Sequence, residues 1–398
     1  MDFYKHQRFA GLPRSIHYSF VYLLAVIFSY HTLIVAYNTS SFAAQFVSPT
    51  AVGVLHAGAA LGAVGLFIIF PKLLARFGNV ALGIGVMAAS VLLLLILAFA
   101  AHGALLLLAL ALFLVLNPLV YLIIDVFSET LIGQSEGETG KKRGLTLSLM
   151  SAAAVFAPLS MGLLMGDNGD FTPLFFASAG VGLLFVAVLM MVFRQFYDPV
   201  YTHPKLTPLL TAIRSDKNLL TVMSCHFLLQ LFFAWIIIYV PLYLSTIAGF
   251  TWSEIGIIIS SGLLAYVLFE YPTGIIADRY LGEQEMMSLG FMILAVTTAF
   301  FGVLGAAPLF VWMLIMFINR FGASLVEVTT ESYFFKHVDG SSADLMSVFR
   351  LLRPLANVAG ALIGAVSLAF MPFSVFFMIG GLILVAGVYL PRFLVDTR

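Results

Sequence analysis

The sequence predicts an all-α membrane protein, with twelve transmembrane helices in two pseudo-symmetric six-helix bundles. Three observations carry that expectation. The first is composition: 62% of the 398 residues are hydrophobic, only 10% are charged, and mean hydropathy is +1.07. Soluble domains carry about 25% charged residues, so a chain this apolar could not cover its own surface in water and lipid must be its solvent. The second is the confinement of lysine and arginine to alternate loops. The third is an internal repeat.

A spanning helix needs roughly 20 mostly apolar residues. Such runs lie near 17–38, 50–70, 80–101, 104–127, 145–166 and 171–193. Six more lie near 219–246, 253–275, 284–306, 309–334, 345–370 and 372–394. The first run is read as a retained helix, because "MDFYKHQRFAGLPRSIHYSF" lacks the short apolar core and small-residue cleavage site of a signal peptide. Lys5, Arg8 and Arg14 precede span one; Lys72 and Arg76 follow span two; Lys141, Lys142 and Arg143 follow span four. Arg194, Lys205, Arg214 and Lys217 follow span six, then Arg279, Lys336 and Arg392 mark later segments on that side. The opposite loops, near 39–49, 102–103, 167–170, 247–252, 307–308 and 371, contain neither residue. The positive-inside rule then makes both termini cytoplasmic. Asn38 of the sequon "NTS" would face outward, a pattern short enough to arise by chance.

Shifted by 203 residues, "TAVGVL" (50–55) falls on "SEIGII" (253–258), so that Gly53 meets Gly256 and Arg76 meets Arg279. Shifted by 202, Asn117, Asp125, Val126 and Glu129 fall on Asn319, Glu327, Val328 and Glu331. Two anchors at nearly one offset divide the chain into a bundle over 1–194, a polar cytoplasmic linker over 195–218, and a second bundle over 219–398. Parallel repeats of this kind suit two bundles rocking about a central site.

The segment "EYPTGIIADRYLG" (270–282) ends span eight on a charged pair. Gly274, Ala277, Asp278 and Arg279 resemble the loop motif of the major facilitator superfamily. The basic residues that continue that motif are replaced by "YLGEQE", and in the first half "PKLLARFG" keeps only Arg76 and Gly78. With twelve spans and a two-fold repeat, the resemblance covers essentially the whole chain. It implies that Gly274, Asp278, Arg279 and Arg76 belong to a gate holding the outward-open state; the plainer reading is a positive anchor with a solvated counterion. A glycine there allows close helix approach, an aspartate can face a helix N-terminus, and an arginine can fork onto carboxylates. Ala153, Ala157, Pro158 and Gly162 of span five resemble the superfamily's antiporter motif with alanines in place of glycines.

Charges within spans are costly unless paired or wet, and mark functional sites by default. Arg320 lies about eleven residues into span ten, near the midplane. The resemblance implies that spans one, four, seven and ten line the central cavity, which puts Arg320 on the substrate path. The structural alternative is an internal Arg320–Glu327 ion pair. Asn319, Asn117, His31, His226, Gln230 and Trp235 are the other candidate cavity residues. His31 and His226 can carry protons near neutral pH, although packing is the commoner fate of such histidines. Asp125, Glu129, Glu270, Glu327, Glu331, Arg350 and Arg353 form a candidate proton-coupling or charge network, static pairs being the alternative. Asp125 has no arginine on its own helix and is expected to be the proton carrier, with Glu327 the partner of Arg320. An Arg350 or Arg353 reaching span four would reverse this.

No HExxH, GxxxxGK[ST] or GxSxG occurs, and the single cysteine, Cys225, excludes a cysteine-based metal site and a disulfide within the chain. Neither an enzyme nor a cofactor or metal protein is expected, and zero net charge gives no reason to expect a nucleic-acid partner. The expected function is secondary active transport of a small solute by alternating access, proton-coupled. Efflux of a drug or metabolite by antiport is the favoured direction. The alternative is a proton symporter for an anionic nutrient, suggested by Arg320. A third reading, from another class, is a non-transporting polytopic receptor or scaffold, which would have no need of a midplane arginine. The expected setting is a cell membrane, the bacterial inner membrane in particular, with the protein a monomer in the lipid bilayer.

Overall fold

The computed structural model describes residues 16–132, 139–166, 169–201, 213–337 and 343–395. The side chains of 132, 139–141, 143, 144, 147, 278, 279, 343, 344, 346 and 347 lie outside that description. Among the described residues, twelve helices are long and apolar enough to cross a membrane. They run Ser19–Ala43, Pro49–Phe77, Asn79–Phe99, Gly103–Leu131, Ser148–Met165 and Thr172–Val192 in the first half. In the second half they run Lys217–Thr246, Trp252–Ile276, Glu283–Leu304, Leu309–His337, Val348–Phe370 and Phe373–Phe393. An all-helical solution follows from the solvent, since a helix satisfies its own backbone where lipid offers no hydrogen bonds.

Polar residues mark where the helices begin. Ser48 accepts from Ala51 N ahead of Pro49, Thr251 and Glu254 form a reciprocal capping box, and Asp216 caps span seven. Span one differs from expectation. Beyond Ala36 a short helix, Thr39–Ala43, continues it, and Asn38, Thr39, Ser40 and Ser41 are all buried. Asn38 is fully enclosed, with its amide donating to Ile34 O at 3.2 Å, so the sequon does not face outward.

Packing repeats with the sequence. Span one packs on spans five and six as span seven packs on eleven and twelve. Span three packs on four and six, as span nine packs on ten and twelve. The residues opening spans three and nine are equivalent as well. Asn79 is buried and donates to Ile123 O of span four at 3.0 Å, while buried Glu283 accepts from Lys336 of span ten at 2.5 Å. Asp198, just past span six, accepts from Asn79 N at 2.7 Å and ties the start of the linker to span three.

The halves meet mainly along span two on span eleven and span five on span eight, with the extension of span one against span seven as a smaller contact. The aligned glycines of the repeat, Gly53 and Gly256, lie one in each. A Cβ on Gly53 would fall 2.8 Å from Ala365 Cβ and 2.9 Å from Ala361 O, and one on Gly256 would collide with the Pro158 carbonyl. Both contacts, with Ser260 Oγ donating to Val155 O at 2.7 Å, sit toward the face opposite the termini. At that face Phe171 meets Trp252 edge-on at 5.4 Å, and Ser41 Oγ lies 3.4 Å from Ser245 Oγ. The halves are closed there.

Candidate functional site

Toward the terminal face, polar side chains from both halves gather at membrane depth. Arg350 of span eleven forms an ion pair with Asp125 of span four, with side chains 42% and 38% exposed. Arg353, one turn further along, is also exposed, and its Nε donates to Gln230 Oε1 of span seven at 3.0 Å. Glu270, Glu327 and Glu331 are partly exposed, and none of their carboxylates makes a hydrogen bond or contact ion pair among the described residues. Their charges act on one another, and Glu327 feels Arg353 and, less strongly, Arg320. Among the described residues no three of His, Cys, Asp and Glu converge as a metal site requires.

Arg320 lies deeper. It is 3% exposed and makes no hydrogen bond or ion pair among the described residues; its Nε is without a partner. The guanidinium instead sits 5.8 Å from the ring centroids of both Phe232 and Phe233 of span seven. The expected Arg320–Glu327 pair therefore does not form. Seven residues along a helix separate the two by about 10 Å, which keeps them on one face but two turns apart. The expectation for Asp125 changes as well. Arg350 does reach span four, which removes the reason for singling out Asp125 as the carrier and leaves the glutamates of spans eight and ten as the acids without contact cations.

Several candidate cavity residues turn elsewhere. Asn319, a helical step of 100° from Arg320, is fully buried and donates to Thr297 Oγ1 at 2.9 Å, between spans nine and ten. Trp235 donates to Gly360 O at 3.0 Å and packs on Phe376, within the seven–eleven–twelve core. His31 bonds Ser178 O at 2.8 Å through Nδ1 against span six, enclosed by Phe28 and Phe113. These three are packing residues. His226 stacks on Phe349 at 4.0 Å between spans seven and eleven, with Nδ1 unpartnered. Asn117 accepts from Thr32 Oγ1 at 3.1 Å, linking spans four and one. Glu129 is exposed near the terminal end of span four.

The gate motif is only partly visible. The backbone at Ala277–Leu281 forms one π-helical turn, and the side chains of Asp278 and Arg279 lie outside the described residues. A Cβ on Gly274 would meet only Val328, at an ordinary 3.9 Å, so this glycine does not enforce close packing. Arg76 is exposed over the ring of Phe77 at 5.3 Å, with no carboxylate partner among the described residues.

Sequence reasoning missed the residues around Arg320. Tyr266 of span eight is 7% exposed, its hydroxyl has no partner, and its ring faces Phe233 at 6.5 Å. Tyr37 of span one is buried within reach of the Arg320 charge. Spacing held the clue: Tyr266 is one turn before Glu270, and Phe233 is three residues after Gln230, each pair on one helix face.

The fold and this cluster define a polytopic membrane protein of two six-span repeats, with ionic groups embedded between them. The model of the Major Facilitator Superfamily matches residues 222–398. Solved structures share the fold over nearly the whole chain. The nucleoside transporter NupG is 13% identical, with a TM-score of 0.72 over 94% of this chain and 98% of that one. An auto-inhibited POT family peptide transporter is 12% identical, with a TM-score of 0.75 over 97% and 98%. The chain therefore matches the major facilitator superfamily in sequence over its second half, and over nearly its whole length it shares the fold of these solved transporters. The family and these neighbours are transporters, not enzymes. No curated protein matches the chain in sequence.

Proposed function

We propose that the protein is a secondary active transporter that moves a small solute by alternating access and couples that movement to protons. One observation carries the reading: ionic side chains between the halves are open toward the terminal face while the opposite face is packed shut. The arginine and lysine bias makes the terminal face cytoplasmic, so the conformation is inward-facing. Each half supplies residues to the space between them, which one chain completes as a monomer.

Proton coupling rests on Glu270, Glu327 and Glu331. Carboxylates at membrane depth that lack a contact cation are the groups whose charge is cheapest to neutralise by protonation. Water reaching them from one face supplies the exchangeable proton.

The test is purified protein in liposomes, challenged with a solute panel under inward and outward pH gradients. Accumulation that follows the gradient, with its sign giving uptake or efflux, is the expected result. If no solute moves and the gradient decays no faster than in protein-free vesicles, the reading fails.

A further inference from the structure

The buried groups around Arg320 share a chemical bias. Arg320 Nε and Gln230 Nε2 are obligate hydrogen-bond donors, both buried and both without an acceptor among the described residues. The Tyr266 hydroxyl beside them is likewise unpartnered. Arg353 is oriented through its Nε bond to Gln230, and its two terminal amino groups make no hydrogen bond among the described residues. A buried guanidinium without a hydrogen-bonded anion is among the most expensive arrangements a membrane protein can hold. Glu327 acts on it only through space, two turns away. The missing partner is an acceptor that carries negative charge.

The surroundings of that missing partner are apolar. The Arg320 guanidinium stands over Phe232 and Phe233, and Phe233 faces Tyr266. Gln230 lies three residues from Phe233 on the same face of span seven, about 5 Å along the helix. Donors from spans seven, ten and eleven and rings from spans seven and eight thus border one place. The nearby Glu327 and Glu270 carboxylates disfavour a second negative charge there.

We propose that this place is an oxyanion subsite for a small organic monoanion: a carboxylate whose oxygens accept from Arg320, Gln230 and Arg353, joined to an apolar or aromatic body that packs on Phe233 and Tyr266. The proposal rests on the transport reading above only in naming this ligand as the solute. The subsite itself is tested by binding, without transport.

Benzoate is the probe, with benzamide as its uncharged counterpart and inorganic phosphate as an anion without a body. Calorimetry and thermal unfolding of the purified protein are the readouts. Benzoate binds and raises the unfolding midpoint, whereas benzamide and phosphate do neither. Arg320→Gln weakens benzoate at least ~10-fold, the scale of one charge-assisted hydrogen bond. Tyr266→Phe and Gln230→Met weaken it by smaller factors, and carry the test if Arg320→Gln does not fold. No benzoate binding, equal binding of benzamide, or benzoate affinity unchanged in the folded variants overturns the subsite. Gradient-driven transport of an uncharged solute by such a protein would leave the transport reading standing and this inference refuted.

Discussion

Arg350 of span eleven reaches Asp125 of span four, and this ion pair bridges the two halves on the face where they otherwise part. Both side chains are more than a third exposed, so solvent screens the attraction and the pair is worth about 0.2–1 kcal/mol.

That magnitude sets the first prediction. Asp125→Asn tilts the conformational balance by no more than about fivefold and leaves the protein folded. Labelling of single cysteines placed on either side of the central space, with Cys225 first replaced, reads the balance. The charge swap Asp125→Arg with Arg350→Asp returns the labelling toward wild type. Identical labelling in wild type, Asp125→Asn and the swap would show that the bridge has no part in the balance.

The seal on the opposite face depends on Gly256. Gly256→Ala places a methyl group against the Pro158 carbonyl, where backbone rather than a movable side chain must yield. Overpacking of this kind costs about 1–3 kcal/mol, and it falls on the closed arrangement of spans five and eight. Cysteines near Ser253 and Gly162 should then label faster from the outside, and Gly53→Ala should act in the same direction through spans two and eleven. Slower labelling in both variants would mean that these glycines do not set the closure.

Asp216 gives a pH dependence outside the membrane. Its carboxylate accepts from Asn218 N at 2.9 Å, Leu219 N at 3.1 Å and His337 Nε2 at 2.8 Å. Burial pushes the carboxyl up, but the His337 hydrogen bond, the Leu219 N–H, the His337 charge and the Asn218 N–H outweigh it and hold the group below its ordinary value. A carboxyl lowered on folding adds stability above its unfolded pKa, near 3.9, and loses it as pH falls through the folded value. Asp216→Ala should therefore cost ~1 kcal/mol at neutral pH, and the difference from wild type should shrink below about pH 4. Thermal unfolding across pH 3–8 checks both (roughly the window set by these values). A deficit that grows toward low pH would contradict the assignment.

The elements were legible where a single helix carries the signal. Apolar runs gave twelve spans because lipid leaves an uninterrupted helix as the simplest solution, and the 203-residue shift located both glycine contacts through Gly53 and Gly256. Side-chain direction was not legible. Asn319 and Arg320 are neighbours in sequence, yet one faces span nine and the other span seven. The Asp125–Arg350 bridge joins residues 225 apart, and nothing local to either announces the other. The polar run after Ala36 read as a loop because Asn, Thr and Ser are exposed in most settings, whereas here the extension of span one packs on span seven.

Proton coupling through Glu327 is tested most directly by Glu327→Gln in liposomes. Glutamine keeps the size of the side chain but cannot exchange a proton, and the Glu327 carboxylate has no contact partner among the described residues whose loss would disturb the fold. Proton entry is followed with a pH-sensitive dye while a transported solute is followed with a label. The account predicts that Glu327→Gln still exchanges solute for solute but no longer moves protons or accumulates solute along a pH gradient, while Asp125→Asn retains both. Gradient-driven accumulation that survives in Glu327→Gln and fails in Asp125→Asn would contradict it.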